Sequence, residues 1–97
     1  MRLRIEGHTD STPISKRKIS NWNLSVDRAV AIMRFFKKSD LLPLDRMAAI
    51  GYGPDRPIVP NTTPQNMAKN RRVDFVLRTN NNIGIGIKGA KPGELPF

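Results

Sequence analysis

Asp10, Asn21 and Arg28 are the residues of this chain whose types and spacing point to chemistry. Asp10 follows an alternating segment and stands at the mouth of a turn-rich loop. Asn21 and Arg28 lie seven positions apart in a helical pattern, so they differ in direction by only about 20°. Both fall beside the apolar stripe of that helix, where a helix meets the rim of a sheet. A carboxylate from the strand end and a guanidinium from the helix would then face one pocket. Arginine offers a planar fork that grips a carboxylate bidentately, and an aspartate accepts hydrogen bonds from an ammonium group. A ligand carrying both groups, such as the end of an amino acid, would satisfy the pair. The same residues also have plain structural readings. An aspartate after a strand is a common turn former, and an arginine beside a helix core often lays its stem on apolar surface with its head in water. Geometry alone leaves both readings open.

Other chemistries find less support. The chain has no cysteine, which removes disulfides and thiolate ligands, and His8 is its single histidine. With eight acidic residues scattered along the sequence, neither a metal site nor a cofactor is expected. His8 and Asp10, two apart and so on one face of a strand, would be the only acid–base pair for a hydrolase. That reaction also needs a nucleophile or a metal, so an enzyme is not expected. Seventeen basic against eight acidic residues give a net charge of +9, which calls for an anionic partner such as nucleic acid, an acidic lipid surface or a carboxylate-rich polymer. The Lys16-Arg17-Lys18 cluster makes nucleic acid the alternative. Against it, the aromatics are few, and Trp22, Phe36 and Phe75 take expected core positions, leaving no platform for stacking bases.

The elements that must position these residues follow from hydrophobic periodicity. Residues 2 to 8 alternate, with Leu3 and Ile5 opposed to Arg2, Arg4 and Glu6, and read as a half-buried strand. Residues 9 to 20 form a basic loop. A helix is expected from Asn21 to Lys38, its buried stripe made of Trp22, Val26, Ala29, Met33 and Phe36. Arg46 to Tyr52 reads as a second strand, the proline-rich stretch from Pro54 to Pro64 as a loop, and Gln65 to Asn70 as a helical turn or two. Arg72 to Arg78 alternates as a third strand. The order of elements gives an α/β class with a small mixed sheet. Residues 1–78 are expected to form the domain and residues 79–97 a flexible tail. No run approaches the roughly 18 apolar residues of a membrane span, and no export signal is expected in the chain as it stands.

Taken in order, Gly7-His8-Thr9-Asp10, Ser20-Asn21-Trp22-Asn23-Leu24-Ser25 with Arg28-Ala29, Gly51-Tyr52-Gly53, Pro57, Asn61 and Asn70-Arg71-Arg72-Val73-Asp74 resemble the OmpA-like C-terminal domain. Within that family, Pro13-Ile14, the long basic loop and the Ser-Asn-Trp-Asn-Leu-Ser string resemble the branch of the MotB flagellar stator proteins. The resemblance covers residues 3 to 78. It implies an α+β sandwich with helices on one face, and non-covalent binding of the diaminopimelate-containing peptide stem of peptidoglycan. By the same resemblance Asp10 would hold the ligand ammonium and Arg28 a ligand carboxylate. Asn21 would orient the peptide, Thr9 and Leu24 would line the pocket, and Arg71 rather than Arg72 would join the site. The family also implies a periplasmic, cell-envelope location, a MotA-like stator partner and a possible homodimer. Its first strand and helix, and the membrane helix of an intact stator protein, have no counterpart in this sequence. The chain is therefore expected to be a C-terminal part to which ion conduction cannot be assigned, and to be marginally stable, self-associating or dependent on a partner that fills the gap where sheet surface lies uncovered.

Overall fold

The computed structural model describes residues 2–12, 20–79 and 84–90. Strand β1 (Arg2–His8) leads to helix α1 (Asn21–Lys38); a 3-10 turn (Leu44–Arg46) opens strand β2 (Met47–Gly53); helix α2 (Pro64–Asn70) precedes strands β3 (Arg72–Arg78) and β4 (Gly84–Ala90). The sheet order is β2-β1-β3-β4, with β1 parallel to β2 and antiparallel to β3, and β3 antiparallel to β4. This is the expected α/β arrangement around a small mixed sheet.

Helix α1 starts where its sequence provides a cap. The Ser20 hydroxyl accepts the Asn23 N–H at 3.2 Å, and the Asn23 side-chain oxygen accepts the Ser20 N–H at 3.2 Å. This reciprocal box satisfies two donors that the first turn leaves without partners. Lys37 and Lys38 lie in the last turn, at the negative end of the helix dipole. The helix packs on β1 and β2, and the buried centre is Ile5, Ala29, Ile32 and Val73, with Leu3, Met33, Phe36, Ala49 and Phe75 packed around it.

Two expectations need correction. The stripe of α1 is centred on Ser25, Ala29 and Ile32, while Trp22 and Val26 remain 45% and 40% exposed. The cause is how closely the first turns of α1 lie on the sheet. A Cβ at Gly7 would collide with the Ser25 carbonyl oxygen, so only glycine lets the helix backbone rest directly on β1. Trp22 then covers Gly53, which has a φ of +59°, at the margin of β2 rather than in the centre. The second correction concerns the tail. Residues 84–90 form β4, which hydrogen-bonds along the outer edge of β3 in the register Leu77↔Ile85, Phe75↔Ile87. The remainder of the expected tail, 80–83 and 91–97, lies outside the described residues, as does 13–19 of the expected loop.

Candidate ligand-binding site

The chain leaves β1 and turns at once, and the turn is fixed from three sides. The Thr9 N–H donates to the Gly53 carbonyl at 3.0 Å, tying the turn to the end of β2. The Thr12 N–H donates to Asp10 Oδ1 at 2.8 Å, closing a local loop on the carboxylate. Asn21, at the first position of α1, donates from Nδ2 to the carbonyls of Asp10 (3.3 Å) and Thr12 (3.1 Å). Its described bonds therefore hold the loop backbone. Ser25 completes the frame: its fully buried hydroxyl donates to the Trp22 carbonyl (2.8 Å) and accepts the Gly53 N–H (3.0 Å), joining α1 to β2.

Asp10 is buried, and its Oδ2 takes a 2.6 Å ion pair from Arg71 Nη1 across 61 positions of sequence. Burial disfavours its charge, but the Thr12 N–H and Arg71 outweigh that and hold the carboxyl below its ordinary value. Arg28 is half-buried on α1, and its Nη1 is shut off from water without a hydrogen-bond partner. Burial pushes its guanidinium below the ordinary value; neighbouring Arg71 adds to this and Asp10 opposes it. Arginine keeps its charge even so, and the group is left wanting an acceptor. Leu24 is half-buried, three residues from Asn21 and four from Arg28, hence on the same side of α1. No described contact joins it to Asp10. Thr9, Asp10, Asn21 and Arg71 are thus gathered by direct bonds, and Arg28 reaches them through its field. Thr12 and Ser25 were not singled out by sequence, since a backbone donor and a small buried hydroxyl leave little trace in a pattern.

Arg71 is aimed by the loop before it. Asn70, fully buried at the end of α2, accepts the Ile58 N–H (2.9 Å) and donates to the Val59 carbonyl (2.9 Å) and Asn61 Oδ1 (2.7 Å). This pins the proline-rich loop and sends the two following arginines to different places. Arg71 goes to Asp10. Arg72 is buried, meets both oxygens of Asp74 at 3.2 Å from its Nε, and donates to the Arg56 carbonyl at 3.0 Å.

A second ionic cluster results on the face of the sheet away from α1. His8 is only 2% exposed, stacks on Tyr52 with ring centroids 5.2 Å apart, and brings Nε2 to 3.3 Å from Asp74 Oδ2 and 3.9 Å from Glu6 Oε1. Acidic groups that look scattered in sequence are therefore gathered by the β1–β3 register: ligand atoms of Glu6, His8 and Asp74 all lie within 4.8 Å of one another. Among the described residues, these three have the spacing of metal ligands. Both carboxylates already carry an arginine, Arg4 on Glu6 (2.5 Å) and Arg72 on Asp74 (3.2 Å), which a cation would have to displace. No described contact joins His8 to Asp10, so the acid–base pair considered from sequence is not formed; Asp10 faces Arg71 instead.

Among the described residues no helix is long and apolar enough to cross a membrane. Residues 1–71 match the model of the OmpA family. Over 77 residues the chain is 42% identical to the protein YtxE of Bacillus subtilis, covering 78% of this chain and 32% of that protein. It is 40% identical over 74 residues to motility protein B of the same organism, covering 75% of this chain and 28% of the relative. The chain thus spans about a third of these relatives. Among solved structures, a MotB-like protein of Desulfovibrio vulgaris superposes with a TM-score of 0.69 at 37% identity, covering 76% of this chain and 46% of that one. The C-terminal domain of Helicobacter pylori MotB gives 0.71 at 29% identity, covering 84% and 60%. The fold, the order of the site words and these likenesses agree: the chain belongs to the OmpA family.

Proposed function

We propose that this domain binds peptidoglycan without chemistry, holding the free amino-acid end of a diaminopimelate-type residue in the peptide stem. The observation that carries the reading is the buried Nη1 of Arg28, which lacks an acceptor beside the Asp10–Arg71 pair. A ligand carboxylate supplies that acceptor in the bidentate geometry arginine favours. A ligand ammonium meets Asp10, whose two oxygens accept more bonds than Thr12 and Arg71 supply. Thr9 and Leu24 line the pocket, and Asn21 keeps the Asp10 loop in place. Family membership and the likeness to motility protein B support a role in which this grip anchors a flagellar stator to the wall, in the periplasm, with a MotA-like partner subunit and pairing with a second copy. Recognition by paired charges makes and breaks no bond, and the site as built offers no activated nucleophile. Nucleic acid, the alternative suggested by the net charge, gains no specific support.

Co-sedimentation with insoluble peptidoglycan tests the reading. Wild type is expected in the pellet at low and moderate salt, with Asp10→Ala and Arg28→Ala left in the supernatant. If all three sediment alike and salt releases all three, the basic surface alone was responsible and the clamp is refuted.

A further inference from the structure

At the opposite end of β1 from Asp10, about 20 Å away along the strand, the sheet carries a second concentration of positive charge. The antiparallel register sets Arg2 directly across from Arg78. The parallel register pairs Leu3 with Met47, and Arg46, the last residue of the 3-10 turn, immediately precedes Met47. Arg2 and Arg78 therefore stand side by side on β1 and β3, a little less than 5 Å apart, with Arg46 at the turn that enters β2. Like charges directly opposite one another on neighbouring strands repel. Yet among the described residues Arg2, Arg46 and Arg78 make no ion pair. Arg4, next along β1, is held by Glu6. Asp45 lies beside Arg46 without pairing with any of the four.

These residues surround a pocket of about 190 Å³: Arg2, Arg4, Arg46, Arg78 and Asp45 line it, with Leu3, Met47 and Val76 among its apolar walls. A concave pocket in which guanidiniums outnumber carboxylates is suited to hold an oxyanion with oxygens on several sides. We propose that this pocket binds a phosphoryl group, either free phosphate or the headgroup of an anionic lipid. The four arginines stand against two carboxylates, Asp45 and the Glu6 that holds Arg4, so two positive charges remain, which a phosphate dianion balances while meeting several forks at once. The apolar walls accommodate carbon next to the phosphoryl group. Among the described residues no aromatic side chain lines the pocket to offer the stacking contact of a nucleic-acid site. The site is separate from the Asp10–Arg28 site and does not depend on the peptidoglycan reading.

The test titrates inorganic phosphate into the whole chain by calorimetry, at constant ionic strength and pH 7.5. Wild type is compared with Arg2→Gln/Arg78→Gln and with Lys37→Gln/Lys38→Gln, which removes the same charge from the far end of α1. Saturable binding is expected in wild type and in the lysine variant, weakened at least about tenfold in the arginine variant, as loss of charge-assisted bonds implies. The arginine variant should also melt above wild type in phosphate-free buffer, because a cross-strand repulsion has gone. Flotation with phosphatidylglycerol and phosphatidylcholine vesicles separates the sources. Retention on the anionic vesicles that the arginine variant loses identifies the headgroup; phosphate saturation without retention identifies the small anion. Equal phosphate uptake by wild type and the arginine variant, or no saturation together with equal vesicle binding by all three proteins, would overturn the proposal.

Discussion

The two ionic clusters that flank the end of β1 use the same kinds of residue and reach different ends. In the cluster of Glu6, His8, Arg72 and Asp74, each carboxylate has its arginine, Arg72 has a further backbone acceptor, and the Gly89 N–H of β4 donates to Asp74 Oδ1 at 2.8 Å. The side chains of Arg72 and Asp74 are both 3% exposed. Both clusters hold buried nitrogens without a hydrogen bond, Nδ1 and Nε2 of His8 in the first and Nη1 of Arg28 near Asp10, but at Asp10 the pairing cation, Arg71, is itself 45% exposed. Burial without an internal partner costs free energy. On the proposed reading, the cost borne by Arg28 next to a surface loop leaves a place for a ligand, whereas the cluster around Asp74 ties β1, β3, β4 and the proline-rich loop together.

Removing one arginine from each cluster should break this comparison most sharply. Arg72→Ala leaves Asp74 buried without its main cation and is expected to destabilise by about 3–5 kcal/mol, the range for breaking a buried pair. On a domain this small that approaches complete unfolding. Arg28→Ala takes away a poorly compensated cation that Arg71 repels, so it should leave stability within about 0.5 kcal/mol while abolishing wall binding. Urea unfolding followed by circular dichroism measures both. Equal destabilisation by the two would make Arg28 a structural residue and remove the basis for a ligand.

Acid titration gives a smaller, graded effect. Burial disfavours the charge on Asp74, but His8, the Gly89 N–H and Arg72 more than offset it, so its carboxyl lies below the ordinary 3.8; Asp10 lies below it also. Groups lowered on folding contribute stability that is fully present above the unfolded value and is lost as pH falls through the folded one. Stability should therefore hold down to roughly pH 4–5 and decline below that. Asp74→Asn should flatten this acid limb more than Asp10→Asn, because the partner of Asp10 is half in water and screened. A steeper contribution from Asp10 would show that the open site is the better-sheltered one.

The sequence shows some of this contrast and hides the rest for definite reasons. Residues 2 to 8, 21 to 38 and 72 to 78 are read at their observed limits because alternation in the strands and an apolar stripe of helical period are local signals. Strand β4 is missed because Gly84-Ile-Gly-Ile has the composition of a loose segment, glycine being poor in strands; pairing with the free edge of β3 decides its state. The cluster around Asp74 is missed because it depends on register: Glu6 faces Asp74 and His8 faces Arg72 only once β1 and β3 are aligned. The helical stripe is found but misplaced. Periodicity gives an arc, while the glycine at position 7 decides that Ser25, rather than Trp22, sits at its centre.

Arg71 is where the comparison can be refined most finely. Its pair with Asp10 is short and links residues far apart in sequence, yet nearly half of the arginine side chain is in water. Exposed pairs contribute about 0–1 kcal/mol, since solvent screens the attraction and two side chains lose freedom to form it. Arg71→Ala should therefore lower stability by less than about 1 kcal/mol. Its effect on binding is expected to be distinct from that of Arg28→Ala. Without Arg71 the carboxyl of Asp10 loses a neighbouring cation and titrates higher, and Arg28 loses a repulsive neighbour. Wall binding should then persist at neutral pH but weaken on acidification at a higher pH than in wild type. The measurement is co-sedimentation with peptidoglycan from pH 4 to 7.5. Should Arg71→Ala release the protein from the wall at every pH, Arg71 grips the ligand directly and the site contains two anion-binding arginines rather than one.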